Sequence, residues 1–147
     1  MSKRSKRIAK IIEIADMEMD KAAKTMSYMR SQLLEDQGQL TSLLEYQKDY
    51  VNKPSQSGSI SPIQLQTHNT FADKLIQAVI TQENKVEEST KMLEMAEKAW
   101  HEKRIRVKAL EAMYDRIKKH EQATLNKQEQ RLLDELSSQK YAASLTK

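Results

Sequence analysis

The side chains best suited to catalysis or metal binding are three histidines, His68, His101 and His120, which stand far apart in the sequence. A helical metal site commonly uses two histidines four residues apart, and no two of these have that spacing. The sequence contains no cysteine, which excludes disulfides, a thiol nucleophile and cysteine-based metal sites. It also lacks a glycine-rich phosphate loop and the serine-hydrolase and zinc-protease motifs. The sequence therefore predicts no catalytic residue, no metal site and no cofactor.

Another set of side chains is spaced for binding. In the stretch QLTSLLEYQKDY (39–50), Gln39, Leu43, Tyr46 and Tyr50 recur at steps of four, three and four. This spacing places them on one face of a helix. A helical core would ordinarily use leucine at such positions. The stripe is therefore either a slightly polar core or a surface with one edge kept free for a partner.

The composition predicts long helices rather than a layered globular domain. Apolar residues make up 38% of the 147 residues and charged residues 31%, with only two glycines and two prolines. Few helix breakers and a low apolar content are typical of long helices that share one narrow apolar seam. No run of about 18 apolar residues occurs, so no membrane-spanning helix is predicted. The basic start is interrupted by Lys10 and Glu13, and we interpret it as mature protein rather than a signal peptide.

The first segment carries an apolar heptad pattern over six heptads. Its steps of four and three residues are those of the seam of a left-handed coiled coil. Asp36 is the one charged seam position and Gly38 follows it, so a bend or a local weakening of the helix is expected there. The seam positions are Ile8, Ile12, Ala15, Met19, Ala22, Met26, Met29, Leu33, Asp36, Leu40, Leu43, Gln47 and Tyr50.

The only turn-rich segment is VNKPSQSGSISP (51–62), which predicts a bend. Pro54 is expected to stop the first helix. The second helix starts either at Ser61, with Pro62 at the first helical position, or at Thr70, which has the spacing of a capping box. The sequence leaves both starts open.

A second seam with the same spacing begins at Leu75, and its phase slips after Ile117. Such a slip often marks the place where one helix outruns its partner, so we expect the second helix to extend about 20 to 25 residues beyond the first. The sequence leaves open whether this extension is helical without a partner. The seam positions are Leu75, Val79, Gln82, Val86, Ser89, Leu93, Ala96, Trp100, Lys103, Val107, Leu110, Tyr114 and Ile117.

Two long amphipathic helices joined by one short bend predict an all-α fold. We expect an antiparallel two-helix coiled coil, or helical hairpin, whose second helix is the longer. Folding about the middle of the bend pairs residues whose numbers sum to roughly 121, which places Tyr50 near Phe71 and Gln39 near Gln82. The predicted ranges, within a single domain of residues 1–147, are a helix at about 5–51, a bend at about 52–62 and a helix at about 63–140.

The net charge of +4 is unevenly distributed. Residues 1–10 contain basic residues and no acid, and basic residues outnumber acids over residues 98–119. The antiparallel pairing places these stretches side by side and predicts a basic open end of the hairpin. Either the cations only solvate a coiled coil, or they form a docking tip for an acidic surface. Nucleic acid, and an anionic membrane surface for residues 1–12, are further alternatives.

Three stretches resemble the flagellar FliJ family. They are QLTSLLEYQKDY (39–50) just before the bend, FADKLIQAV (71–79) after it, and AWHEKRIRVKALEAMYDR (99–116) on the return helix. Their order and spacing and the chain length are similar to those of the family, so the resemblance covers nearly the whole chain. Its more specific part is the pattern QLxxLLxYQxxY before the bend, combined with AWxEKR after it.

The resemblance implies a small, non-enzymatic component of the flagellar type III export apparatus. Family members are antiparallel two-helix coiled coils similar to the rotor stalk of rotary ATPases. They lie in the central pore of the hexameric export ATPase FliI and promote its assembly, contact the export gate protein FlhA, and bind empty export chaperones. The resemblance thus implies a cytoplasmic protein of flagellum biogenesis and motility, held at the membrane at the flagellar base through its partners.

The family's pattern and the charge distribution together predict which residues contact these partners. Tyr46 and Phe71 are large aromatic residues outside the seam, which is typical of interface anchors, whereas Trp100 lies on the seam and is expected to pack there. The implied contacts with the export gate are Gln39, Leu43, Tyr46, Tyr50, Phe71, Leu75, Ala78 and Gln82. The basic open end is the expected contact with the ATPase ring, through Arg4, Arg7, Lys10, Arg104, Arg106, Lys108, Arg116, Lys118 and Lys119.

Two other functions are compatible with a basic coiled coil. One is an adaptor or scaffold of another secretion system, since hairpins of this type recur in such machines. The other is nucleic-acid binding, although aromatic residues suited to base stacking are nearly absent from the basic stretches.

Overall fold

The computed structural model describes residues 2–52 and 61–145, and these residues form two α-helices and no strand. Helix α1 spans Lys3–Asn52 and helix α2 spans Pro62–Leu145. Both are rich in Leu, Met, Ala, Glu, Lys and Gln, which favour the helical backbone. The predicted all-α class with a longer second helix is confirmed. The centre of the predicted bend, including Pro54 and Gly58, lies outside the described residues.

Helix α2 begins at a reciprocal capping box. The Oγ of Ser61 accepts a hydrogen bond from the backbone N–H of Gln64 at 3.2 Å, and the Oε1 of Gln64 accepts one from the backbone N–H of Ser61 at 3.2 Å. These contacts bind N–H groups that have no partner within the helix, and Pro62 supplies the backbone angle of the first helical position. The start at Ser61 is confirmed, and the alternative start at Thr70 is wrong.

The described residues group into two compact units. One contains residues up to 20 and residues from 102 onward, and we call it the basic unit. The other contains residues 21–101, and we call it the aromatic unit. The basic unit includes the first predicted basic stretch and residues 102–119 of the second, and the aromatic unit includes the tyrosine stripe. A single domain of residues 1–147 stays a prediction.

Helices α1 and α2 pack against each other through the predicted heptad seams. Every predicted seam position of both helices is buried or half-buried, including Trp100, whereas most other positions are exposed. This pattern confirms that a seam with a period of 3.5 residues carries the packing of the hairpin. The buried apolar side chains are Ile8, Ala15, Leu75, Val79, Ala96, Val107 and Ile117.

Contacts between the helices fix the register of their antiparallel pairing. In the aromatic unit the ring centroids of Tyr50 and Phe71 are 4.8 Å apart. In the basic unit the Nζ of Lys103 lies 3.2 Å from the Oε2 of Glu18. The residue numbers of each pair sum to 121, the predicted register.

Helix α2 extends beyond its contacts with α1 in the basic unit. All residues from 122 to 145 are exposed. These residues are helical, and they begin close to the predicted slip of the seam phase. The exposed apolar side chains of this extension are Leu125, Leu132, Leu133, Leu136, Tyr141 and Leu145. Within residues 2–52 and 61–145, neither helix contains a stretch long and apolar enough to cross a membrane.

Helix α1 continues without interruption through Gly38. The backbone of this glycine has no positive φ, and a methyl group added to its Cα would meet no atom within 4 Å. The glycine is therefore required neither by the backbone conformation nor by close packing. The local weakening of the helix at this position stays a prediction, and it can be measured directly.

We expect Gly38→Ala to raise the free energy of unfolding by about 1 kcal/mol, because alanine favours a helix interior over glycine by about that amount. Urea denaturation followed by circular dichroism measures the change. The neighbouring exposed substitution Gln37→Ala is the control and should change the free energy by only a few tenths of a kcal/mol. A less stable Gly38→Ala variant would show that propensity does not explain this position.

Candidate functional site

The aromatic unit contains a cluster of four rings drawn from both helices. Tyr46 and Phe71 meet edge to face, with ring centroids 6.3 Å apart and an interplanar angle of 79°. Tyr50 packs against Phe71 and also stacks on His68, with centroids 4.5 Å apart and planes 14° apart. The hydroxyl of Tyr50 donates a hydrogen bond to the backbone carbonyl oxygen of His68 at 3.3 Å. This aromatic cluster of Tyr46, Tyr50, His68 and Phe71 ties the last turns of α1 to the first turns of α2.

The rings of the aromatic cluster differ in their exposure to solvent. Tyr50 is half-buried, whereas Tyr46 exposes 52% of its surface and Phe71 exposes 38%. The prediction that Tyr46 and Phe71 lie outside the seam is confirmed. Two large rings held against each other and open to solvent have the chemistry of an interface anchor, because they offer apolar area at a small cost in side-chain entropy.

The other residues of the predicted stripe extend from the core to the surface. Leu75 and Gln82 are buried, Leu43 and Ala78 are half-buried, and Gln39 is exposed. The stripe is therefore core on its inner side and exposed on its outer side, and binding of a partner there stays a prediction. Its inner residues pack between the helices, and its outer residues are exposed to solvent.

A buried carboxylate lies in the seam of the same unit. Asp36 is fully buried, and it accepts hydrogen bonds from the hydroxyl of Ser89 and from the Nε2 of Gln32 at 3.3 Å. The Nζ of Lys85 lies 3.6 Å from its Oδ1. The Nε2 of Gln82 donates a hydrogen bond to the backbone carbonyl oxygen of Asp36 at 2.8 Å. We call these five residues the polar cluster.

The polar cluster keeps the Asp36 carboxylate charged. The hydrogen bond from Ser89 lowers the pKa of Asp36 below its ordinary value; burial acts in the opposite direction, and the charge of Lys85 lowers the pKa further. A buried carboxylate that loses such partners is costly. Because Ser89, Lys85 and Gln82 are supplied by α2, sliding the helices past each other would leave the carboxylate without them. The cluster therefore favours one register over its neighbours.

The basic unit presents the predicted cations on its surface. Residues 1–20 and 102–147 together contain sixteen Lys and Arg against eleven Asp and Glu. Lys118 is half-buried, with its Nζ 5.7 Å from the centre of the Tyr114 ring, and the other predicted tip cations are exposed. Those exposed cations are Arg4, Arg7, Lys10, Arg104, Arg106, Lys108, Arg116 and Lys119.

A groove of about 510 Å³ brings cations of the two helices to one place, since Arg4 of α1 and Arg116 of α2 both line it. Its apolar lining comes from Met113 and Ile117. The prediction that the two basic stretches lie side by side is confirmed.

The carboxylate of Glu121 on α2 accepts hydrogen bonds from the first residues of α1, and it also lines this groove. The hydroxyls of Ser2 and Ser5 both donate hydrogen bonds to the Oε1 of Glu121, and the Oγ of Ser2 accepts one from the backbone N–H of Ser5 at 3.2 Å. The bonds from Ser2 and then Ser5 lower the pKa of Glu121, burial opposes them, and the charge of Lys118 lowers it further. A negative charge is stabilised here because the N-terminus of a helix carries a partial positive charge.

Sequence reasoning missed three of these features. The stacking of His68 on Tyr50 was missed, although His68 stands one helical turn before Phe71. The pairing of Asp36 with Ser89 was also missed, although each is a polar interruption of its own seam. The bonds from Ser2 and Ser5 to Glu121 had no such signal, because a serine-to-carboxylate contact follows no heptad rule.

Groups for catalysis or metal binding are few. In the part of the chain that the structure describes, no group of three or more His, Asp or Glu side chains is placed to hold a metal ion. The absence of a catalytic residue and of a cofactor stays a prediction. The groups that the structure does bring together are suited to binding surfaces, one aromatic and one cationic.

Comparison with known proteins gives a consistent match. The sequence model of the family described as "Flagellar FliJ protein" matches residues 4–146. The chain is similar to the flagellar FliJ protein of Escherichia coli (strain K12), with 24% identity over 132 residues, which cover 88% of this chain and 90% of that protein. It is also similar to the flagellar FliJ protein of Salmonella typhi, with 24% identity over 127 residues, which cover 85% of this chain and 86% of that protein.

The polar cluster predicts how stability depends on pH. Because the pKa of Asp36 is lower in the folded state than in the unfolded chain, where it is about 3.9, its stabilising contribution is complete above that value. This contribution is lost as the pH falls through the folded-state pKa. The wild-type melting temperature should therefore fall in acid, whereas Asp36→Asn should melt lower near neutral pH and lose less on acidification.

Circular dichroism melts over a pH series measure this difference. Asp36→Asn should retain the part of the acid effect that comes from Glu121, whose pKa is also lowered. Glu35→Gln removes an exposed carboxylate next to Asp36 and should keep the wild-type pH profile. Identical profiles for Asp36→Asn and the wild type would contradict a charged carboxylate in the seam.

Proposed function

The chain belongs to the flagellar FliJ family, and on that premise we propose that it is a non-enzymatic component of the flagellar protein export apparatus that works by binding other proteins. The observation that carries this proposal is the exposed edge-to-face pair of Tyr46 and Phe71. These rings are not needed at the seam, yet they are held together at its edge. Such rings are typical anchors of protein interfaces.

The exposed outer edge of the stripe contains Tyr46 and Phe71, and we call it the aromatic edge. Its proposed partner is the export gate protein FlhA. The resemblance implies this contact for the stripe, and the exposure of its outer residues makes the contact sterically possible. Tyr46, Phe71 and Gln39 would touch the gate, whereas Leu75 and Gln82 would support these residues from within the seam. Tyr50 and His68 would hold the Phe71 ring in place.

The partner proposed for the basic unit is the ring of the export ATPase FliI. Arg4 of α1 and Arg116 of α2 line one groove, and the other predicted cations except Lys118 are exposed. Cations clustered on one surface speed association with an acidic partner and raise its dependence on salt. In this proposal the basic unit enters the ring and promotes its assembly, as the resemblance implies for the family.

The remaining parts of the proposal rest on the resemblance alone. They are the binding of empty export chaperones and a cytoplasmic location at the flagellar base, with attachment to the membrane through partners. The exposed leucines of residues 122–145 offer apolar area for such partners. This leaves the aromatic edge and the basic unit as the two surfaces to test by mutation.

For the gate, we expect Tyr46→Ala combined with Phe71→Ala to weaken binding of the FlhA cytoplasmic domain by about 30-fold or more, because interface anchors commonly contribute 2 kcal/mol or more. Calorimetric titration measures the affinity, and thermal melting reports on the fold. The melt should stay cooperative, because neither ring lies in the seam.

The control for the gate is Tyr28→Ala combined with Tyr141→Ala, which removes two other exposed rings. This control should bind FlhA with wild-type affinity. If the Tyr46 and Phe71 double variant instead loses cooperative melting, the stripe is part of the core and not a docking surface.

For the ring, we expect Arg116→Glu combined with Lys119→Glu to slow association with FliI and to reduce its stimulation of ATP hydrolysis, while helicity stays unchanged. The loss should grow at low ionic strength, because screening of exposed charges is weakest there. Lys127→Glu combined with Arg131→Glu makes the same charge change on the exposed extension of α2 and serves as the control. Equal stimulation by the two variants would remove the argument for a basic docking surface.

A further inference from the structure

Helix α1 carries a second regular stripe in the basic unit, on the side opposite to the seam. Its residues recur at steps of four, three, four and three. Each stands two positions from a seam residue or from the buried Ser5, which is about 200° around the helix. All five are exposed. We call them the outer stripe; they are Lys3, Arg7, Lys10, Ile14 and Met17.

The apolar part of the outer stripe has no role in packing the hairpin. Ile14 exposes 52% of its surface and Met17 exposes 65%, and Ile11 beside them exposes 42%. The neighbouring residues Ile8 and Ala15 already fill the seam. Three adjacent aliphatic side chains therefore project from a convex helix face into solvent.

The charged part of the outer stripe is purely cationic. Residues 1–12 contain no acid at all. Of the acids that follow, Glu13 and Asp20 are exposed beside the apolar end of the stripe. Glu18 is paired with Lys103 at 3.2 Å, and Asp16 is half-buried. Nothing on the outer stripe itself neutralises Lys3, Arg7 and Lys10.

We propose that the outer stripe binds the surface of a membrane rich in anionic phospholipid. Lys3, Arg7 and Lys10 would contact phosphate head groups, while Ile11, Ile14 and Met17 would enter the boundary between head groups and acyl chains. A helix that lies in the plane of the interface requires this combination of basic and aliphatic residues. Cations close to an anionic leaflet each add attraction that falls off within a Debye length.

The convex shape of the stripe favours lipid over an acidic protein. Arg4 and Arg116 line a groove that can receive a side chain of a protein partner, but Ile14 and Met17 are not part of it. A fluid surface adapts to a convex line of side chains without needing a matching groove. Nucleic acid would leave the three aliphatic groups in water, because binding there relies on phosphate contacts and aromatic stacking.

This inference does not depend on the proposed export function, but it has a consequence for it. Arg7 and Lys10 belong both to the outer stripe and to the cations assigned to the ATPase ring. One chain cannot use them for both partners at once, so anionic vesicles should compete with the ring. Membrane contact would then hold the chain near its site of use until a ring engages it.

The test uses the full chain and flotation with vesicles of defined composition. We expect binding to phosphatidylcholine vesicles that contain phosphatidylglycerol, and none to phosphatidylcholine alone. Removing two cations, by Arg7→Gln and Lys10→Gln, should weaken binding by about 25-fold, at roughly fivefold for each cation. Removing aliphatic groups, by Ile14→Gln and Met17→Gln, should weaken it by about tenfold.

Matched controls separate lipid insertion from simple attraction between charges. Leu132→Gln with Leu133→Gln removes two exposed aliphatic groups from the extension of α2 and should leave vesicle binding unchanged. Soluble polyglutamate should bind the wild type and the Ile14 and Met17 variant alike. The proposal is overturned if the wild type does not float with anionic vesicles, or if the Ile14 and Met17 variant floats as well as the wild type. The FlhA and FliI assays use other residues, so their failure is distinguishable from failure here.

Discussion

The register between α1 and α2 is the constraint on which the other features of the structure depend. The helices share one narrow seam, because the chain has too few apolar residues to build a wider core. A narrow heptad seam alone is nearly periodic, and a slip of one heptad replaces one apolar pair by another. The polar cluster in the aromatic unit makes one alignment of the helices more favourable than those shifted by a heptad. Asp36 finds Ser89, Lys85 and Gln82 together in only one alignment, and a slip would bury a carboxylate without partners.

The aromatic cluster shows how such a seam can also supply a binding surface. Tyr50 contributes to the packing and, through its contacts with Phe71 and His68, fixes the orientation of a ring at the edge. Tyr46 of α1 packs against the ring of Phe71 and forms the rest of this edge. Because the exposed rings are held by half-buried ones, little side-chain freedom would remain to be lost on binding a partner. The same spacing of four, three and four residues thus places packing residues on its inner side and the proposed binding surface on its outer side.

The two units differ in where their charged side chains lie, since the aromatic unit buries a carboxylate and the basic unit exposes most of its cations. In the aromatic unit a single buried carboxylate is surrounded by donors and acts on the pairing of the helices. In the basic unit most cations are exposed, and Glu121 is the carboxylate that two serine hydroxyls bind at the start of α1. Exposed cations add little to folding stability, since their charges are screened by water and salt. The outer stripe combines three such cations with exposed aliphatic groups that do not pack in the seam.

The sequence by itself determined the class of the fold, both seams and their register, because heptad spacing is a local property that one chain displays in full. It also determined that Tyr46 and Phe71 lie outside the seam, since position in a heptad sets exposure. Only the tertiary structure decided which polar groups meet. Ser89 with Asp36, His68 with Tyr50, and Ser2 and Ser5 with Glu121 are contacts between side chains far apart in sequence. Their formation depends on hydrogen-bond distances and angles after the helices have packed, and these follow no periodic rule that a single sequence displays.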